Sequence, residues 1–236
     1  MLKYTNKLLE LSMNRNSVSV IHRTESVLAT NKVLRNTYLL LGLTFLFSAL
    51  CAFIAFSTNA RPMNPLLFIV GAYGLMFLTS ALRNSAAGLL AVFAFTGFMG
   101  YALGPILSFY IANFANGPQL VGTALGATGL IFFALSGYAL VSRKDFSYLG
   151  GFLFAASMVA LLAIIASIFF PIPALSLGIS AAFVLISSGL ILLQTSQIIH
   201  GGETNYILAT VTLFVSIYNL FISLLNLLGA FSGRDN

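Results

Sequence analysis

The sequence predicts an all-α, polytopic membrane protein of seven transmembrane helices, with the C-terminal helix at the centre of the bundle. Three observations lead there. Hydrophobic residues make up 59% of the 236 and charged residues only 7%, against roughly 50% and 25% in soluble domains. Apolar runs of about twenty residues, the length that spans a bilayer, recur along the chain and leave no room for a soluble domain. The last run also carries a regular polar stripe, which a helix facing lipid could not satisfy.

The chain opens with a polar, basic segment over residues 1–35, carrying Lys3, Lys7, Arg15, Arg23, Lys32 and Arg35 against Glu10 and Glu25. It is too long and too mixed for the n-region of a signal peptide, and the run after it exceeds a typical h-region. Ser48-Ala49-Leu50-Cys51 is a poor lipoprotein signal, because a large Leu precedes the cysteine. The segment reads as a disordered tail, with a short amphipathic turn around Leu2, Leu8, Leu9 and Leu11 as the alternative. The transmembrane domain then covers 36–231, and 232–236 form a short C-terminal tail.

Seven spans are expected: Tyr38–Phe56, Pro65–Leu82, Gly88–Ala112, Leu120–Val141, Tyr148–Phe170, Ala174–Ile199 and Asn205–Phe231. Pro62, Pro65, Pro118, Pro171 and Pro173 fall in or beside the loops, as helix breakers should. Gly104-Pro105 is the exception and predicts a kink within the third span, with a freed carbonyl nearby. His200-Gly201-Gly202-Glu203 reads as the hinge between the last two spans. Its glycines suit a helix C-terminus, and Glu203 or Thr204 suits the next start.

The net charge of +6 points to topology rather than to nucleic acid. With the N-terminal tail in the cytoplasm, nine of the basic residues lie on that side and only Arg61 and Arg234 opposite. This positive-inside bias puts the N-terminus in the cytoplasm and the C-terminus outside. Cys51 is the single cysteine, so no internal disulfide can form.

In the last span Thr212, Ser216, Asn219, Ser223 and Asn226 recur at steps of four, three, four and three, which aligns them on one helical face. That stripe should face other helices or a cavity. Leu213, Phe214, Ile217, Leu220, Phe221 and Leu224 cover the remaining surface. The preceding span echoes the pattern, with Ser180, Ser187 and Gln194 one heptad apart. Gly100…Gly104 and Gly122…Gly126, extended by Gly129, are GxxxG matches that predict packing within the chain.

A search for chemistry yields no catalytic, cofactor-binding or metal-binding constellation. All five acidic residues lie outside the expected spans. Glycines interrupt the turn between His200 and Glu203, and no third metal ligand is near. The serines lack an activating histidine or lysine within a span. No enzyme emerges.

Gly97 to Pro105, Tyr148-Leu149-Gly150-Gly151 and Thr195 to Ile199 resemble the Bax inhibitor-1 family of seven-helix membrane proteins. Four further blocks, Lys32–Tyr38, Tyr73–Thr79, Phe93–Phe98 and His200–Ile207, are similar to gamma-proteobacterial members that modulate the FtsH protease. The similarity runs from about Thr30 onward. It implies a Bax inhibitor-1-like bundle in the bacterial inner membrane, partnered by FtsH and associated membrane proteins, that restrains degradation of integral membrane proteins. Other bacterial relatives are calcium leaks built on a pair of intramembrane aspartates. Here Gln194-Thr195-Ser196 stands where those have Asp-Thr-Gln, and Ser216 stands where the seventh span has its aspartate. Neither replacement titrates near neutral pH, and calcium sites normally include carboxylates.

Two functional classes remain at this point. One is a protein-binding modulator of a membrane protease. The other is a cation leak or small-solute transporter with the polar stripe lining a path.

Overall fold

The computed structural model describes residues 32–170 and 172–233. Most of the basic N-terminal segment, including Leu2 to Leu11, and residues 234–236 lie outside the described residues. Seven helices follow one another: α1 (Lys32–Ser57), α2 (Pro65–Leu82), α3 (Ala86–Asn113), α4 (Gly117–Ser142), α5 (Leu149–Phe169), α6 (Pro173–Ile199) and α7 (Tyr206–Ser232). All seven are long and apolar enough to cross a membrane.

The helix ends show why the chain turns where it does. Asn64 caps α2 by accepting from the Leu66 amide at 2.9 Å, with Pro65 preset for the first turn. Pro118 and Pro173 occupy the same early position in α4 and α6. At the end of α6, Gly201 takes the left-handed conformation (φ 74°). The Gly202 amide then reaches the Gln197 carbonyl at 2.8 Å and the Gly201 amide reaches Ile198 at 3.3 Å. These two bonds are a Schellman turn, which needs a residue free of Cβ strain at its left-handed position.

Two boundaries differ from the sequence reading. α1 is already helical at Lys32, so Lys32 to Arg35 belong to the first helix and not to a tail. The span rule counts only residues in hydrocarbon, whereas a helix continues beyond it when its inner face has something to pack on. Thr37, Leu40 and Leu41 supply that face, all buried in the core. The α7 cap is Asn205, not Glu203 or Thr204. Its Oδ1 accepts from the Ile207 and Leu208 amides at 3.0 and 3.1 Å, while Glu203 accepts from the Asn205 amide at 2.7 Å. Asn205 Nδ2 also donates to the Arg83 carbonyl and Asn84 Oδ1, tying α7 to the α2–α3 loop.

The C-terminal helix is central. In its most apolar stretch 61% of residues are buried, against 6% for α2 and 11% for α5. α7 touches α6, α4, α3 and α2 directly. It reaches α1 through Phe45, stacked on Phe214 at 4.9 Å between ring centroids. Because it is enclosed, its bulky face is buried with its polar one: Leu213, Phe214 and Leu220 are fully covered. Peripheral helices instead turn large side chains outward, such as Leu46, Phe77 and Phe133, which suits hydrocarbon surroundings.

Glycines set how closely α1 and α3 approach. A Cβ at Gly100 would collide with the Ser48 carbonyl, and one at Gly104 with Ala55 and the backbone of Ala52. The first GxxxG pair is therefore a packing surface within the chain. The second is not: a Cβ at Gly122, Gly126 or Gly129 meets nothing within 4 Å. α3 runs on through Gly104 and Pro105, both buried, to Asn113. Pro105 has no amide hydrogen, so the Tyr101 carbonyl loses its usual intrahelical donor.

Opposite outcomes are expected at the two glycine pairs. Gly100→Leu should destabilise the protein by about 1–3 kcal/mol or more through overpacking against α1. Gly126→Leu should stay within about 0.5 kcal/mol of the parent, as a substitution without close neighbours does. Unfolding in mild detergent measures both. Equal losses would contradict the packing described.

Candidate functional site

Three consecutive residues of α6 organise the polar interior. On a helix, Gln194, Thr195 and Ser196 project about 100° apart, so each addresses a different neighbour. Thr195 is fully buried, and its hydroxyl lies 3.3 Å from the Tyr38 hydroxyl of α1 and 3.4 Å from Ser136 Oγ of α4. Ser196, also fully buried, donates to the Lys144 carbonyl at 3.1 Å and accepts from the Phe146 amide at 3.0 Å. One hydroxyl thus holds both sides of the α4–α5 loop. Gln194 is buried, and its Nε2 has no hydrogen-bond partner among the described residues; the same is true of the Thr37 hydroxyl. Thr210 of α7 completes the layer, donating to Tyr206 O at 2.7 Å with Thr37 O at 3.3 Å.

His200 closes the corner between the end of α6 and the α4–α5 loop. Its Nδ1 lies 2.9 Å from the Ser196 carbonyl and its Nε2 lies 3.0 Å from the Arg143 carbonyl. Nearby, Asp145 accepts from the Ser147 amide at 2.9 Å, and its bonds to Ser147 hold its carboxyl below the ordinary range, with His200 adding a smaller effect. A lowered folded value stabilises the fold at neutral pH. That contribution fades only as the pH falls past the usual carboxylate range to the lowered one.

The residues of the α7 stripe do different things. Ser216 and Ser223 are buried, while Thr212, Asn219 and Asn226 are half-buried. Ser216 donates to the Thr212 carbonyl of its own helix at 2.8 Å. Asn226 instead crosses to α6, donating to Ser180 Oγ at 2.8 Å and lying 3.4 Å from Ser176 Oγ. Ser180, Ser187 and Gln194, one heptad apart, are all buried on α6. At the two positions that the sequence reading compared with the acidic pair of calcium-leak relatives, Gln194 Nε2 has no partner among the described residues and Ser216 is bonded within α7. The sequence reading chose Gln194 and Ser216 because of that comparison. It passed over Thr195 and Ser196, because short hydroxyl side chains carry no motif and gain meaning only from what the fold sets opposite them.

This arrangement clamps helices together. Hydroxyls and amides supply directional bonds between spans, each worth on the order of 1 kcal/mol in a membrane. Among the described residues no group of three His, Cys, Asp or Glu side chains comes together.

Seven apolar helices, the last of them polar-striped and the most buried, define a multi-pass membrane protein. The family model described as Inhibitor of apoptosis-promoting Bax1 matches residues 30–233, and the chain belongs to this Bax inhibitor-1 family. It is 53% identical over 218 residues to Modulator of FtsH protease YccA of Escherichia coli, covering 92% of this chain and 98% of that protein. The same coverage and identity relate it to a second Escherichia coli protein named Inner membrane protein YccA. It is also 54% identical over 203 residues to an uncharacterized protein of Pseudomonas aeruginosa, covering 86% and 91% of the two chains. The protein is therefore a close homologue of YccA, within a group named for a modulator rather than an enzyme.

Ser196→Ala should expose the value of the loop clamp. It leaves the Phe146 amide and the Lys144 carbonyl without their buried partner, at about 1–3 kcal/mol. Hydrogen exchange at Phe146 should accelerate accordingly. Ser216→Ala should be close to neutral, since the Thr212 carbonyl keeps its helical bond. Unchanged exchange at Phe146 would show that Ser196 does not hold the loop.

Proposed function

We propose that the protein is an inner-membrane modulator of an FtsH-type protease and restrains degradation of integral membrane proteins. The observation that carries this reading is the 53% identity to a protein named as that modulator, over 92% of this chain and 98% of that one.

The architecture supports a particular mechanism. A membrane protease that pulls its substrates from the bilayer needs a segment to grip. Residues 1–31, polar and basic in sequence, would be that segment in the cytoplasm, with the C-terminus on the periplasmic side. The bundle behind it resists extraction, because pulling any span into water exposes a large apolar area. Withdrawing one helix would also break the cross-bonds at Thr195, Ser196 and Asn226. A substrate gripped readily and extracted slowly occupies the protease and spares others. FtsH and its associated membrane proteins are the partners this reading requires.

The two parts should separate by mutation. Deleting residues 2–20 removes the grip, leaves the bundle folded and should lengthen the protein's own lifetime. Asn226→Leu removes an interhelical bond worth about 1 kcal/mol and should shorten that lifetime. Pulse-chase with and without active protease measures both, alongside turnover of a second membrane substrate. If both variants turn over like the parent, slow extraction is not the mechanism. Loss of protease co-purification from every form would reject the modulator reading itself. Orientation is checked separately: with Cys51 removed, Ser17→Cys should resist an impermeant thiol reagent in intact cells. Ser232→Cys should react with it once the outer barrier is permeabilised.

A further inference from the structure

We propose that the groove between α1 and α4 is a binding site for one anionic phospholipid of the leaflet at the Lys32 end of α1. The site goes beyond the protease reading and does not depend on it.

The groove has a volume of about 400 Å³. Its walls are Tyr38, Gly42 and Phe45 of α1 and Gly129 and Phe133 of α4, and Phe221 of α7 lies at its floor. Two glycines face each other's walls without contact: a Cβ at Gly42 or Gly129 meets nothing within 4 Å. The apolar channel therefore exists because both helices omit a side chain there. Of the nearby hydroxyls, Tyr38 is turned to Thr195 and Thr128 donates to its own helix at Ala124.

Size decides between occupants. Ten residues of helix about 10 Å across and 15 Å long occupy on the order of 1,200 Å³, three times the volume of the groove. A second copy of this chain, or a partner's helix, would seat only a ridge of side chains. Length points the same way. Along α1 the groove runs from Tyr38 to Ala49, about 16 Å at 1.5 Å per residue. That is close to half of the roughly 30 Å hydrocarbon core, the depth of a single leaflet. An acyl chain fits both limits.

Charge identifies the headgroup. On α1, Arg35 precedes Tyr38 by three residues and so shares the groove face one turn nearer the membrane surface. On α4, Leu140 follows Phe133 at helical spacing, and Arg143, the left-handed C-cap (φ 49°), ends the helix just beyond it. Lys32 and Lys144 lie beside these arginines in sequence, and all four are exposed. The two helices that wall the groove thus both end in exposed cations on the same side of the bundle. Charge bias across a membrane puts cations on a side, but it does not pair them at the mouth of a groove. Basic pockets between spans at this level bind anionic headgroups.

The test uses the full-length protein in detergent, titrated with phosphatidylglycerol or phosphatidylethanolamine of identical acyl chains, with bound lipid read by native mass spectrometry. Phosphatidylglycerol should be retained preferentially. Arg35→Gln and Arg143→Gln should each weaken it about fivefold, and together about 25-fold, leaving phosphatidylethanolamine unaffected. Gly42→Phe with Gly129→Phe fills the channel from open positions, so it should displace the lipid while the melting temperature measured without added lipid holds. Equal retention of the two lipids, or parental affinity in the filled variant, overturns the site. A photoactivatable group on Gly129→Cys in native membranes provides a second readout. Crosslinks to phospholipid support the proposal; crosslinks to a second copy or to another protein's helix overturn it.

Discussion

The bundle depends on one constraint: a helix enclosed by other helices must find all its packing and polar partners inside the protein. α7 meets that constraint on every side. Phe214 stacks on Phe45 and meets Phe95 edge-on, which fixes the spacing of α1 and α3 around the hub. Thr210 lies against Thr37, and Asn226 reaches Ser180. No hydrophobic force separates helix from lipid in hydrocarbon, so close packing and directional bonds must provide cohesion. Shape and hydroxyls take the part that burial from water plays in a soluble core.

That division explains what was readable in the chain beforehand. Seven apolar runs determined the class, because hydrocarbon admits few alternatives to a helix of spanning length. The central place of α7 showed in its stripe, since a lipid-facing helix would not carry Asn219 and Asn226. Which amide crosses to another helix was not readable: both have the same spacing, and only the position of Ser180 on α6 selects Asn226. The two GxxxG patterns were equally alike in sequence. One packs on Ser48 and Ala52, and the other faces open space, a difference set by the partner helix alone. The start of α1 was misjudged for a related reason. Thr37 and Leu40 are held by neighbours that a local window cannot see.

The polar layer at Thr195 and Ser196 also bears on the choice between modulator and leak. A conducting path for a divalent cation needs oxygen ligands that offset its charge, normally carboxylates. Here the hydroxyls of Tyr38, Ser136, Thr195, Ser196 and Ser216 are engaged with one another, with loop backbone or with their own helix, and the Thr37 hydroxyl has no partner among the described residues. Gln194 does carry an unpaired amide nitrogen, but that group is a donor and repels a cation. The interior is built for cohesion.

Cohesion has a direction along the membrane. The clamps at Ser196, His200 and Asn205 gather at the end where the α4–α5 and α2–α3 loops meet the α6–α7 turn. Under the orientation expected from the loop charges and the proposed mechanism, this is the end at which a pulling protease would apply force through the N-terminal segment. α1 is the first helix such a force would load. It is fastened to α3 through Gly97, Gly100 and Gly104, to α7 through Phe45, and to α6 through Tyr38. Its release requires three helix contacts to part together. On the proposed mechanism, these contacts would be the first to resist the pull.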